Sequence, residues 1–450
     1  MSLWGSRFEE APDEVLWDYT VDVADRRLLG DDLTGSLAHV GMLEKVGLLD
    51  AEEGPALRAG LESVLAEARS GEFLFLDSDE DVHSAVERRL GELIGPLAGK
   101  LHTARSRNDQ IALDLRLYMR RVAADRIAQI ELFALALADA AEDVGDVVVA
   151  TYTHLQQGQA VPLAHHLLAY AWMVLRDRSR FEDLLKRLDE SPLGAGAGGG
   201  TSLPIDPELT ASALGFESTF DNSIDAVASR DLASEFVFVA AQAMVTLSRL
   251  AEDMLLWASA EFGWVTYLDR HTTGSSAMPQ KKNPDMAELA RGRAAAVIGD
   301  VTAVLGLQKG LPMAYNRDLQ EDKRLIFHAD DTLGGTLGAL RAMIAGARFA
   351  PPPPTSWVGA LDLAESLTAR GVPFREAHHV VGRVVVGLAQ RGQVLSDASL
   401  DFLRSVDERF DGTDLARLNP ENSVAERGSA GGGSPASVAT QLAKIRDLLA

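Results

Sequence analysis

The sequence predicts an all-α protein built around an elongated bundle of long helices, and three observations predict it. Residues 111–144 (IALDLRLYMRRVAADRIAQIELFALALADAAEDV) contain neither glycine nor proline, and apolar residues recur there mostly at steps of three and four, through Ile111, Leu115, Met119, Val122, Ile130 and Phe133. Four further segments share that character: 162–190, 228–262, 285–309 and 323–348. No alternating run longer than a few residues suggests a strand; EFLFLD at 72–77 and VVVA at 147–150 are the best short candidates.

Taken in order, residues 1–103 read as shorter helices broken by Gly30, Gly35, Gly41, Gly47, Gly54 and Gly60. The central stretch, 104–350, carries the long helices. The first of them, 111–144, spans about 50 Å at ~1.5 Å per residue. Pro284 followed by Asp285 makes a favourable helix start, because proline suits the first turn and an acidic side chain suits the helix dipole. Residues 234–250 (SEFVFVAAQAMVTLSRL) are apolar nearly all round, which points to subunits packing bundle against bundle. The glycine stretch LGAGAGGG at 193–200 follows a helical pattern and lacks the Gly-Lys-Ser/Thr ending of a phosphate loop, so it reads as a flexible connection. Pro351 to Pro354 form a stiff break. A smaller helical segment, 351–450, follows and contains a glycine-rich turn at 428–434.

The chain has 450 residues, 46% of them apolar, enough for a large core. Its net charge of -23 and pI near 4.8 argue against nucleic-acid or anionic-membrane partners. The absence of cysteine excludes disulfides, thiolate metal sites and a cysteine nucleophile. The start, MSLWGSRFEEAPDE, lacks the basic and apolar regions of a signal peptide. No uninterrupted apolar run of ~18 residues predicts a membrane span. The expected location is cytoplasmic.

Polar chemistry gathers in four stretches. LHTARSRNDQ at 101–110 brings His102, Arg105, Arg107, Asn108 and Gln110 to the start of the longest helix. Guanidinium forks suit carboxylates, and unpaired helix N–H groups welcome an anion. TYTHLQQGQAVPLAHH at 151–166 offers Thr153, His154 and Gln157. His165 and His166 are adjacent, so on a helix they point to different faces and do not make a metal pair; no HExxH spacing occurs. GSSAMPQKKNP at 274–284 holds two of only eight lysines in the chain. Gly274 permits unusual backbone angles there, while Pro279 and Pro284 stiffen the loop. A serine hydroxyl acts as a base only where cations and N–H groups stabilise its alkoxide in a water-poor site, and Lys281 or Lys282 offers that charge. YNRDLQEDKRL at 315–325 adds Tyr315, Gln320 and Lys323, and DEDVHSAVERR at 79–89 adds Asp81 and His83.

HTARSRNDQ, TYTHLQQGQ and GSSAMPQKKNPDMAE together resemble the fumarase/aspartase superfamily, whose signature has the form GSSxMPxKxNP. Within it, QKKNP with HTARSRNDQ and YTHLQ is similar to the argininosuccinate lyase family. The resemblance runs from WGSRF at 4–8 to GVPFREAHHVVG at 371–382. It implies an all-helical homotetramer with a twenty-helix core, and active sites each drawn from three subunits. The three domains would be 1–103, 104–350 (with the signature loop at 270–284) and 351–450. It implies reversible cleavage of argininosuccinate to arginine and fumarate through an aci-carboxylate intermediate, with no metal or organic cofactor.

Carried over by position, Ser275 would be the base and His154 the acid, with Glu288 as the partner of His154. Lys281 and Asn283 would stabilise the developing dianion. Arg107, Asn108, Thr153, Tyr315, Gln320 and Lys323 would hold the substrate; Asp81, His83 and Arg230 match further family positions. The signature loop would be a mobile lid. The family's usual N-terminal serine is missing: the stretch reads YTVDVADRR, and Thr20, Val21 and Asp22 are the nearest positions. The remaining alternatives are a sister lyase for another succinyl-amine and a non-catalytic, crystallin-like structural protein.

Overall fold

A computed structural model describes residues 13–450; the WGSRF segment at 4–8 lies outside them. The chain is mostly helical. The first helices are α1 (Glu14–Thr20), α2 (Leu29–Lys45), α3 (Glu53–Ser70) and α4 (Val82–Ile94). The long helix α5 (Arg107–Asp143) is followed by a hairpin, β1 (Val148–Thr153) and β2 (Gln156–Pro162), and then by α6 (Leu163–Arg187). The short elements β3 (Glu190–Ser191), α7 (Pro207–Ala213), β4 (Ser218–Thr219) and α8 (Ser223–Ala228) lead into α9 (Asp231–Ala258). After β5 (Val265–Thr266) come α10 (Asp285–Gln308), α11 (Asp322–Ala345) and β6 (Arg348–Phe349). The C-terminal helices are α12 (Ala360–Ala369), α13 (Phe374–Ala389), α14 (Leu400–Val406), α15 (Gly412–Arg417), α16 (Pro420–Ala425) and α17 (Pro435–Leu448).

All five long segments expected from periodicity are helices. At 37 residues, α5 runs about 55 Å. It starts four residues before the expected boundary because Ser106 and Asp109 cap it reciprocally. Ser106 Oγ accepts from the N–H of Asn108 at 3.2 Å, and Asp109 Oδ1 accepts from the N–H of Ser106 at 2.9 Å. By length and composition α9 is apolar enough to cross a membrane, but more than half of its apolar window is buried, which marks a core helix.

Two compact units emerge, and the boundaries between them fall inside the five long helices. The first unit comprises 1–127, 179–241 and 296–332. Its N-terminal core joins α2, α3 and α4 through Leu33, Val40, Leu43, Leu57, Leu61, Val86 and Leu90, all essentially inaccessible. The second comprises 128–178, 242–295 and 333–450. Its C-terminal core is built on α12 and α13, through Leu363, Leu367, Val380, Val384 and Leu388, with Leu403 and Phe410 packed in.

Strands are few among the described residues: three two-stranded sheets. The β1–β2 hairpin is antiparallel, with Thr153 opposite Gln156 and a register irregularity at Thr151. It contains the 147–150 candidate almost entirely. The 72–77 candidate is not a strand: no neighbouring chain pairs with it. Gly71, left-handed at φ 77°, ends α3, and Phe73 turns inward with Phe75 against it edge to face at 5.0 Å. The glycine stretch at 193–200 is not a loose connection either. Gly194, Gly196, Gly198 and Gly200 all have positive φ, and Asp109 ties two of their N–H groups.

Candidate active site

In the first unit, four segments converge on a cavity of about 190 Å³. The capping box that starts α4, Asp81 with Ser84, presents Asp81 and His83. The start of α5 contributes Arg107, Asn108 and Ile111. The turn before α11 contributes Tyr315, Arg317 and Gln320, the start of α11 contributes Lys323, and the turn after α1 contributes Asp22 and Asp25. All the lining residues belong to this unit.

The cavity is lined by charges of both signs. Arg107, Arg317 and Lys323 line it together with Asp22, Asp25, Glu80 and Asp81. Arg107 Nη1 donates to Asp81 Oδ2 at 2.7 Å and lies 3.3 Å from Glu80. Lys323 is nearly buried, with its ammonium 3.1 Å from Asp322, and Asp322 in turn receives Arg230 Nε at 2.6 Å. Arg230 does not line the cavity; it acts on Lys323 through the shared, inaccessible Asp322. Burial pushes the Asp25 carboxyl up to about 6, only partly offset by the N–H of Val82. Burial also works on Asp22, but its hydrogen bonds to Arg324 and to the N–H of Ala24 outweigh it and hold that carboxyl below its usual range.

Behind His83 lies a buried polar cluster. His83 Nδ1 is 2.5 Å from Asp32 Oδ2, which also accepts from Gln110 Nε2 at 2.6 Å. Asp114 Oδ2 stands 3.7 Å from the same imidazole nitrogen. Burial works against a charged His83, but the Asp32 carboxylate outweighs it and raises the imidazole above its usual range. Burial and the charges of Asp32 and Asp31 push Asp114 well above the carboxylate range, favouring its protonated form. These three residues also have the spacing of a metal-ligand set. Burial works against a charged Asp32, but His83 and then the Arg105 guanidinium outweigh it and hold that carboxyl below its usual range.

The second unit holds the other expected residues. Thr153 and His154 are exposed at the tip of the β1–β2 hairpin. His154 and Leu155 both adopt left-handed backbone, φ 54° and 57°, the tight two-residue turn that normally asks for Asn-Gly. His154 borders a cavity of about 720 Å³ walled by Trp257, Phe262 and Trp264. The signature loop is pinched at its base by paired backbone hydrogen bonds, Thr273 N–H to Asn283 O at 3.0 Å and Asn283 N–H to Thr273 O at 2.8 Å. Ser275 Oγ accepts from the N–H groups of Ala277 and Met278 at 3.3 and 3.2 Å. Lys282 reaches back to Asp269, leaving Lys281 exposed at the surface. Gly274 has ordinary backbone angles and open space around it, so this arrangement of the loop does not require glycine there. His154 and Glu288 are both exposed and do not hydrogen-bond to each other.

Residues 6–299 match the family model described as Lyase, and 357–425 match the model described as Argininosuccinate lyase C-terminal. The chain is 45% identical to the argininosuccinate lyase of Symbiobacterium thermophilum, over 99% of this chain and 98% of that one. It is 44% identical to that of Carboxydothermus hydrogenoformans over the whole of both. The chain belongs to the argininosuccinate lyase family. Among solved structures it is similar to EDDS lyase in complex with formate, at TM-score 0.82 and 26% identity over 96% of this chain and 88% of that one. A 3-carboxy-cis,cis-muconate lactonizing enzyme from Pseudomonas putida shares the fold at TM-score 0.76 and 20% identity, over 97% of this chain and all of that one.

Within this lyase, the motif residues separate by role. Of the five polar residues singled out at 101–110, only Arg107 and Asn108 reach the cavity. His102 pairs with Glu87, Arg105 is buried on Ser36, and Gln110 is buried on Asp32. His165 and His166 diverge as expected, toward Gln441 and Asp253. Near the missing serine, the Thr20 hydroxyl turns back to Leu16 O, and Asp22 lines the cavity instead. Sequence reading passed over Asp25, Glu80, Arg317, Asp32 and Asp114. The signal for Asp114 was present: an aspartate on the buried stripe of α5, between Leu113 and Leu115, is costly unless it has a purpose.

Proposed function

We propose that this protein catalyses the reversible β-elimination of argininosuccinate to L-arginine and fumarate, in arginine biosynthesis in the cytoplasm. The observation that carries the reading is a cavity lined by charges of both signs. Argininosuccinate bears carboxylates together with a guanidinium and an ammonium, and the cavity offers Arg107 and Lys323 together with the carboxylates of Asp22, Asp25, Glu80 and Asp81. The argininosuccinate lyases of Symbiobacterium thermophilum and Carboxydothermus hydrogenoformans, to which the chain is similar along its whole length, agree with it. The similarity to EDDS lyase favours a second reading, a sister lyase for another succinyl-amine, but at much lower identity.

Ser275 removes the proton from the carbon beside a carboxylate, and the electron pair moves into that carboxylate to give the aci-carboxylate. The bond from the neighbouring carbon to the guanidinium nitrogen then breaks, and His154, partnered by Glu288, returns a proton to the departing nitrogen. Two N–H groups already directed at Ser275 Oγ support its role, since they lower the cost of an alkoxide. Lys281 and Asn283 stabilise the dianion. Thr153, with Arg107, Asn108, Tyr315, Gln320, Lys323, Asp81 and His83, holds the substrate, and Arg230 holds Lys323. The loop closes as a lid on its pinched base.

The working form is a homotetramer with a twenty-helix core, domains at 1–103, 104–350 and 351–450, and each site shared by three subunits. An exposed stripe of small residues on α10, Gly292, Ala296, Gly299, Ala303 and Gly306, supports close helix packing between copies, as do the exposed Leu289, Ile298 and Leu305. The 190 Å³ cavity is smaller than the ~300–1,000 Å³ usual for small-molecule sites, as suits a site completed by other chains. The test is direct. Purified protein with argininosuccinate should give a steady rise in the ultraviolet absorbance of fumarate, abolished in Ser275→Ala; a flat trace from folded tetramer would reject the reading.

A further inference from the structure

We propose that Asp25 receives the cationic end of the substrate, a guanidinium or ammonium group, in the cavity of the first unit. This deepens the reading above and rests on it.

Four carboxylates line the cavity, and three are already engaged. Asp22 binds Arg324 with both oxygens, at 3.1 and 3.2 Å. Glu80 pairs with Arg107 and Arg317. Asp81 accepts from the N–H of Ser84 with Oδ1 and from Arg107 with Oδ2, both at 2.7 Å. Asp25 differs. Its Oδ2 accepts from the N–H of Val82 at 3.1 Å, whereas its Oδ1 is buried and has no partner. The residue is only 7% exposed, and what it faces is the cavity.

A buried carboxylate oxygen without a donor is costly when ionised, so the site asks for a group that brings positive charge and N–H donors together. The protein's own cations do not supply it. Lys323 directs its ammonium to Asp322 and the Gln320 carbonyl, and the Nδ1 of His83 is taken by Asp32. The charged groups around Asp25 are Asp22 on its own turn, Asp81 and His83 at the start of α4, and Lys323 on α11, and Glu80, Arg107 and Arg317 line the same cavity. A guanidinium meets the requirement through its fork of donors. Arg107 and Lys323 then serve the succinate carboxylates. Left without that cation, Asp25 titrates near pH 6 because of its burial.

The test is calorimetric titration of the whole protein with L-arginine and, separately, with fumarate. Asp25→Asn keeps an acceptor for the Val82 N–H, removes the charge and replaces the other oxygen by an amide NH2. It should weaken L-arginine at least tenfold and fumarate less than threefold. Unchanged arginine binding, or equal loss of both ligands, overturns the inference. Should the variant fail to fold, the wild-type pH profile decides. Arginine affinity should fall about tenfold from pH 7 to pH 5 as a group near 6 takes up its proton, without a matching fall for fumarate. Parallel profiles, or no arginine binding at all, overturn it. Failure of the wild type to cleave argininosuccinate would instead sink the activity, which these binding measurements do not use.

Discussion

Asp109 holds Gly196: one carboxylate oxygen of Asp109 accepts the backbone N–H of Gly196 at 2.8 Å and that of Gly194 at 3.0 Å. Its other oxygen caps α5. A single inaccessible side chain therefore fixes both the start of the longest helix, where Arg107 and Asn108 face the cavity, and the glycine turn beside it.

Asp109→Ala should cost about 2–4 kcal/mol, because three backbone N–H groups lose a charged acceptor. Asp109→Asn, which keeps one carbonyl oxygen, should cost less. Urea denaturation measures both, and a loss below about 1 kcal/mol for the alanine variant would show that the turn holds itself.

The hairpin tip carries a cost that a simple change can relieve. Leu155 is 72% exposed and sits at φ 57°. Leu155→Gly should raise stability by about 1 kcal/mol, since glycine adopts that conformation freely. An unchanged or lower melting temperature would mean that the leucine side chain is held by something outside the single chain.

His154→Ala and Ser275→Ala should each lower turnover by ~10²–10⁴ or more if they act as acid and base. Mixed in one preparation after subunit exchange, the two inactive proteins should regain part of the activity, because some hybrid sites then combine an intact His154 with an intact Ser275. Absence of recovery after verified exchange counts against shared sites.

Burial and then the charge of Arg105 drive the His39 imidazole down to about 3, while its Nε2 bonds the Thr103 carbonyl at 2.9 Å. The unfolded chain protonates this group below pH ~6.5 and the folded chain does not, so stability falls as pH drops through that range. Asp25, raised in the folded state, works in the opposite direction between 3.8 and about 6. Comparing His39→Gln with wild type isolates the histidine. From pH 6.5 to pH 5 the variant should lose roughly 1.5 kcal/mol less than the wild type by urea denaturation. Equal losses would reject the assignment.

Much of the fold was legible in advance. Long helices form from hydrogen bonds four residues apart, so a periodic stripe free of glycine and proline, as in α5, suffices to forecast one. The failure at 72–77 has the converse cause: a strand needs a partner that local sequence does not name. The family was legible because its motifs are contiguous, and GSSAMPQKKNP and HTARSRNDQ could be read where they stand.

By itself, then, the sequence determined the helical class, the family and the motif residues. Tertiary structure alone decided what each of those residues does within the chain. Arg105, Arg107, Asn108 and Gln110 are neighbours in sequence, yet the turn of the helix sends two of them into a buried network and two into a cavity. Asp22 and Asp25 differ only in which cations the fold brings within reach, and this leaves one carboxylate satisfied and the other with a free buried oxygen. Such outcomes depend on contacts between residues tens to hundreds of positions apart, and on the burial that sets their electrostatic cost.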